Sequence, residues 1–172
     1  MQPITSFCAP EPWPPVKIER PNERYAEEIL SNVGACCSEM SAVSLYLYNH
    51  TILTQSQPDF SRIFQKIAIV EMHHLGIFSQ LAFLLGADPR LWTACGGRPC
   101  YWSPSCNKYP TDLRALLQNS LDGELDTIAK YRCQAGQICD AYVTDLLQRI
   151  ILDEQVHVRI FRQMLMQITQ NC

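Results

Sequence analysis

Two short stretches of the chain could do metal chemistry: Glu71-Met72-His73-His74 and Glu154-Gln155-Val156-His157. In each, a glutamate precedes a histidine by three residues, which puts both side chains on one face of a helix. About thirty residues upstream of each lies a further glutamate, Glu39 before Glu71 and Glu124 before Glu154. Tyr46 and Tyr131 each follow that upstream glutamate by seven residues. The chain therefore repeats itself, a Glu-helix followed by a Glu-x-x-His helix in each half. Carboxylates and imidazoles together suit iron, zinc and manganese-type centres.

Position along each helix decides whether these groups are surface charges or ligands. Steps of three and four residues trace Phe60, Phe64, Ile67, Glu71, His74, Phe78, Leu81 and Leu85 in one helix. The same steps trace Val143, Leu147, Ile150, Glu154, His157, Phe161, Met164 and Ile168 in another. Both are apolar core stripes interrupted only at the middle. The stripes through Glu39 (Tyr25, Ile29, Asn32, Cys36, Glu39, Val43, Tyr46, His50, Leu53) and Glu124 (Leu113, Leu117, Ser120, Glu124, Thr127, Tyr131) each carry the Glu near the middle and a Tyr seven residues later. A buried ionised carboxylate costs several kcal/mol, and four would exceed the roughly 5–15 kcal/mol stability of a domain. No Lys or Arg stands at the middle of any stripe. Two divalent cations would balance the four charges, with neutral imidazoles completing the site. On this reading Glu71 with His74, and Glu154 with His157, each grip one ion, while Glu39 and Glu124 bridge or cap the pair.

The elements that must position these residues are marked by proline. Six of the eleven prolines lie in residues 1–21, which predicts an extended N-terminal arm; four more lie between 89 and 110. Between them run helical segments at roughly 22–53, 58–86, 111–139 and 141–170, each about 45 Å long at 1.5 Å per residue. Asn22, Pro58-Asp59, Thr111-Asp112 and Asp140 are start signals, and Gly86 is a stop. Short links make two antiparallel hairpins, joined by a long crossover at about 87–110. The expected class is all-α, a four-helix bundle of residues 22–172 with ferritin-like connectivity.

Composition narrows the rest. The 172 residues carry a net charge of −3, 47% apolar and 18% charged side chains, with no basic patch to recruit nucleic acid. No apolar run of membrane-spanning length and no export signal is read, so the expectation is a cytoplasmic protein away from membranes. The nine cysteines are odd in number and form no C-x-x-C pair. Most are expected to be buried small hydrophobes rather than a disulfide framework. Cys36, one turn before Glu39, is read as a packed thiol with a redox neighbour as the alternative. Cys95, Cys100 and Cys106, with Trp92, Tyr101 and Trp102, are read as a folded-over loop or subunit interface. Tyr46 and Tyr131 are read either as partners of the ligand carboxylates, as redox relays, or as plain core tyrosines. Asp153 is a candidate to orient His74, His73 a surface residue, His50 a core histidine. Gly34, Gly76, Gly123 and Gly136 would allow close approach or a local bulge.

Taken together, Glu39, Glu71-Met72-His73-His74, Glu124 and Asp153-Glu154-Gln155-Val156-His157 resemble the ferritin-like di-metal carboxylate superfamily. The rubrerythrin-like branch is most similar, with manganese catalases and bacterioferritins as relatives. The resemblance covers about residues 22–170. It implies a dinuclear iron centre, or a manganese one, that reacts with hydrogen peroxide or dioxygen, an external electron donor, and a homodimer. Rubrerythrins carry an extra glutamate three residues after the helix-3 ligand, and that position is Thr127 here. Met72 falls where bacterioferritins carry their haem ligand, but haem is not expected. Other readings remain open at this point: a ferritin-type subnit for iron oxidation and storage, or a metal-stabilised bundle that binds a partner.

Overall fold

The computed structural model describes residues 4–170. Its helices are α1 (Glu23–Gly34), α2 (Glu39–Leu53), α3 (Pro58–Leu85), α4 (Leu113–Gln137) and α5 (Ala141–Gln170). A two-stranded hairpin, β1 (Trp92–Cys95) with β2 (Arg98–Tyr101), and a 3-10 turn at Pro104–Cys106 fill the crossover. The four bundle positions are taken by α1 and α2 together, then α3, α4 and α5. Short links make α2–α3 and α4–α5 the two hairpins.

Helix ends follow their chemistry. The side chains of Asn22 and Asp112 accept from the backbone N–H groups of Tyr25 and Ala115, and Asp140 accepts from those of Tyr142 and Val143. Gly86 ends α3 in the left-handed conformation (φ 112°), which favours glycine.

Three expectations need correction. The segment 22–53 is not one helix: residues 35–38 are non-helical. The cause is tertiary. The hairpin backbone crosses α1 at Gly34 so closely that a Cβ there would lie 2.2 Å from Trp92 N. Lys130 Nζ donates to Ser31 O (3.0 Å), which also accepts from the Ala35 N–H, and to Cys37 O (2.7 Å) within the break. No comparable approach exists at Gly76, Gly123 or Gly136. Second, the crossover contains a β-hairpin, because Gly96-Gly97, with φ of 61° and 78°, supplies the tight turn. Third, among the described residues the cysteines are not core packing: Cys8, Cys37, Cys133 and Cys139 are exposed thiols, Cys100 is exposed, and Cys36 is disulfide-bonded to Cys106. The side chain of Cys95, and Cys172, lie outside the described set.

By length and hydropathy α3 alone, among the described residues, would suffice to cross a membrane. In the fold it is a core helix, with Phe64, Ile67, Glu71, His74, Phe78 and Leu81 buried. The N-terminal arm is extended and lies on the bundle. Its Ala9 and Glu11 carbonyls accept from Arg149 of α5, and Trp13 covers the Arg149 guanidinium at 4.2 Å.

Candidate metal centre

The six predicted ligands meet at one level of the bundle. Glu39 comes from the first turn of α2, Glu71 and His74 from the middle of α3, Glu124 from α4, Glu154 and His157 from α5. All six are at most 3% exposed. They form two overlapping groups, Glu39–Glu71–His74–Glu154 and Glu71–Glu124–Glu154–His157, each with ligand atoms within 4.8 Å of one another.

Both histidines turn Nδ1 inward. His74 Nδ1 lies 3.1 Å from Glu71 and from Glu154 and 3.8 Å from Glu39. His157 Nδ1 lies 2.9 Å from Glu71, 3.1 Å from Glu154 and 3.7 Å from Glu124. The carboxylates common to both groups are thus Glu71 and Glu154. Glu39 and Glu124 each belong to one group only, so each would hold a single ion.

Each imidazole is fixed from behind through Nε2. His74 Nε2 faces Asp153 Oδ2 at 3.1 Å, and Asp153 Oδ1 accepts from Arg149 (2.6 Å) and from the Ala9 N–H (2.7 Å). His157 Nε2 faces the Phe7 carbonyl at 3.0 Å. The arm therefore supplies the contact for which the first half of the chain has only Val70. A backbone carbonyl has no side-chain signature, so sequence reasoning had nothing to find; the reach of the arm was equally silent.

The tyrosines cross between halves. Tyr46 Oη donates to Glu124, and Tyr131 Oη donates to Glu39. Burial and the neighbouring carboxylates push both phenols well above their ordinary pKa, so they stay protonated donors. Phe64 and Phe161 pack beside Tyr46 on one side of the cage, and Phe78 beside Tyr131 on the other. His73 is exposed and meets Trp13 edge-on at 4.8 Å. His50 is half-buried, with Nδ1 2.8 Å from Ser61 Oγ, while the core position beside it belongs to Asn49. Met72 points outward, 51% exposed.

The charge pattern fits divalent ions. Asp153 is balanced by Arg149, but no Lys or Arg pairs with Glu39, Glu71, Glu124 or Glu154 among the described residues. Glu71 Oε1 and Glu154 Oε1 are buried without a hydrogen-bond donor aligned on them. Burial pushes Glu39 well up, helped by Glu154 and Glu71, and pushes Glu124 up to about 7. Burial opposes charge on His74 and His157 too, yet Glu154 and Glu71 respectively hold both well above the histidine range. With Glu39 and Glu124 protonated, protons on both imidazoles would balance the charges of Glu71 and Glu154. Two divalent cations would instead balance all four carboxylates, with the lone pairs free to bind them.

A cavity of about 430 Å³ opens onto the cage. Glu39, Glu71, Glu124, Glu154, Tyr46, Thr127, Cys36 and Cys106 are among its lining.

A helical bundle with acid–imidazole helices repeated across its halves defines the ferritin-like dinuclear-metal class. Solved structures agree on the fold. The chain superposes on KatB, a manganese catalase from Anabaena, with a TM-score of 0.83 at 20% identity, covering 96% of this chain and 81% of that one. It superposes on Rhodobacter capsulatus bacterioferritin, described with a metal-free dinuclear site and haem iron, with a TM-score of 0.71 at 19% identity, covering 88% and 89%. No curated protein matches in sequence. The sequence model of the rubrerythrin family matches residues 28–165, and the chain belongs to that family.

Proposed function

We propose that the protein is an oxidoreductase acting on hydrogen peroxide or dioxygen at two iron ions, or two manganese ions, held by Glu39, Glu71, His74, Glu124, Glu154 and His157. The observation that carries this is a buried, doubly shared ligand set open to a cavity of small-molecule size. Bound there, the ions would supply redox change beside an O–O bond.

The chain's own residues do the remaining work. Glu71 and Glu154, common to both groups, would be the carboxylates shared by the two ions. Nε2 contacts to Asp153 and Phe7 O keep each Nδ1 lone pair directed inward. Tyr46 and Tyr131 hold a proton against Glu124 and Glu39 respectively, and Tyr46 also lines the cavity. Phe64, Phe78 and Phe161, all fully buried, exclude water above and below. Thr127 lines the cavity where rubrerythrins place a further glutamate, so six residues would hold the ions here without that alternative.

The protein draws electrons from an external donor, works in the cytoplasm and pairs as a homodimer. Support for pairing comes from Ile69, Met72 and Phe83, which form one exposed apolar face of α3. The test is elemental analysis of the native protein combined with a peroxide- and oxygen-consumption assay. Iron or manganese near two per chain with turnover of either oxidant is the expected result. A loaded protein that consumes neither defeats the reading.

A further inference from the structure

The cavity that reaches the carboxylate cage has sulfur in its wall. Cys36 and Cys106 line it together with Glu39, Glu71, Glu124 and Glu154, and the two are joined as a disulfide across 70 residues of sequence. Cys36 sits in the break between α1 and α2, three residues before Glu39; Cys106 ends the 3-10 turn that closes the crossover. Cys36 is exposed and Cys106 half-buried, so the bond that borders the cavity is also open to solvent.

The backbone on both sides is held by contacts that do not depend on the S–S bond. Ser41 Oγ donates to Cys36 O (2.7 Å), and Lys130 Nζ donates to Cys37 O (2.7 Å). On the crossover side, Trp102 Nε1 donates to Ser41 Oγ (2.9 Å) and Asn107 Nδ2 to Ser41 O (3.0 Å). Reduction would leave the two thiols facing each other. A pair that must open and close repeatedly needs that arrangement; a bond that only staples the fold does not.

We propose that Cys36 and Cys106 are a redox-active pair that delivers two electrons to peroxide at the centre and is recharged by an external dithiol reductant. This rests on the peroxide reading above. In the forward step the O–O bond and both S–H bonds break and the S–S bond forms. Two electrons leave the sulfurs for the peroxide oxygens, the two thiol protons accompany them, and two waters result. In the return step a thiolate of the reductant attacks exposed Cys36 Sγ, and Cys106 leaves as thiolate and takes a proton. The reductant's second thiol then resolves the mixed disulfide, freeing Cys36 and departing as its own disulfide. A disulfide in a reducing compartment is usually catalytic or sensing, which accords with the proposed location.

The test uses the full chain loaded with iron or manganese, and the same chain loaded with redox-inert zinc. Both are reduced with dithiothreitol, freed of it, and given one equivalent of hydrogen peroxide; thiols are then alkylated and mapped by mass spectrometry. An ordinary thiol is only about 3% ionised at neutral pH, so ionisation by a nearby cation accelerates direct oxidation at most about 30-fold. The expected result is disulfide formation at Cys36–Cys106, one per peroxide consumed, more than about 30-fold faster in the redox-active protein than in the zinc form. A smaller acceleration, or a disulfide that dithiothreitol does not open in the folded protein, overturns the proposal. Cys36→Ser/Cys106→Ser is expected to keep its metal but lose dithiothreitol-driven peroxide reduction, whereas Cys37→Ser/Cys133→Ser keeps both. Retention in the first variant overturns the proposal, and if that variant does not fold the thiol mapping decides alone. If the loaded wild type consumes no peroxide, both readings fall; if it consumes peroxide with its thiols untouched, only this one does.

Discussion

Asp153 is the point where the arm, α5 and one imidazole are tied together, and replacing it by asparagine tests how the centre is held. Oδ1 accepts from Ala9 N–H and Arg149, and Oδ2 faces His74 Nε2 at 3.1 Å. An acceptor at Oδ2 keeps the proton on Nε2 and the lone pair on Nδ1, toward Glu71 and Glu154. In Asp153→Asn, Oδ1 can keep its two donors while an amide N–H replaces Oδ2. The imidazole must then accept at Nε2 and carry its proton on Nδ1, where it cannot bind an ion. Loss of such a supporting contact lowers metal affinity about 10- to 100-fold, or about 1.4–2.7 kcal/mol. The loss falls on the group containing His74; the group containing His157 keeps its Phe7 contact. Arg149 also loses its counter-charge, so unfolding free energy drops by up to about 3–5 kcal/mol. Near-ultraviolet circular dichroism therefore has to confirm the fold first. Competition with a chromophoric chelator then resolves the two binding events. One ion at wild-type affinity and one weakened ion are expected. Two ions at wild-type affinity in folded Asp153→Asn would refute the tautomer argument, and equal loss of both would refute its confinement to one side.

Three further predictions follow from packing, hydrogen bonding and charge. Gly34→Ala drives a Cβ into the Trp92 and Leu91 backbone and costs about 1–3 kcal/mol, whereas Gly76→Ala meets nothing within 4 Å and gains up to about 1 kcal/mol; urea unfolding separates them, and equal stabilities would contradict the close crossing. Tyr46→Phe and Tyr131→Phe each remove a donor from a buried carboxylate and cost about 1.5–3 kcal/mol in the metal-loaded protein, measured by denaturant; a negligible change would mean the tyrosines only fill space. Metal loading at neutral pH releases protons, because Glu154 and Glu71 hold His74 and His157 well above the histidine range against the effect of burial. For the metal-free fold, that stabilisation is complete below the ordinary histidine value of about 6.5 and is lost as pH rises through the raised ones. Glu124, raised to about 7 chiefly by burial, acts in the same direction between the ordinary carboxyl range and about 7. Thermal unfolding in chelator should thus weaken with rising pH while metal affinity strengthens; loading without acidification of a weak buffer would contradict this.

What the sequence made legible was whatever a side chain pays for locally. Asn22, Asp112, Asp140 and Gly86 satisfy orphan backbone groups or adopt a conformation few residues tolerate, so helix ends were readable. The cage was readable because four acids on apolar stripes lack cationic partners. The break at 35–38 was not readable. Ala35-Cys36-Cys37-Ser38 contains no proline or glycine, and what opens it is the hairpin crossing Gly34, a contact between residues far apart in sequence. After the break α2 restarts in its own phase, which is why Asn49 is buried and His50 only half so. Gly96-Gly97 was a usable turn signal for the hairpin, but Pro99 in the run that follows argues against a strand.

The sequence repeat suggests two equivalent metal positions, and the inner atoms honour it: each Nδ1 lies near both shared glutamates, and each unshared glutamate takes a tyrosine from the other half. The repeat ends at Nε2. Behind His74 stands a carboxylate whose charge Arg149 balances; behind His157 stands a neutral carbonyl from the arm. An imidazole hydrogen-bonded to a carboxylate is the more basic ligand. The ion beside His74 should therefore be bound more tightly than its neighbour in the wild type, and Asp153→Asn should reverse that order. An asymmetry built outside the ligand set gives a dinuclear centre two distinguishable ions without changing one coordinating residue.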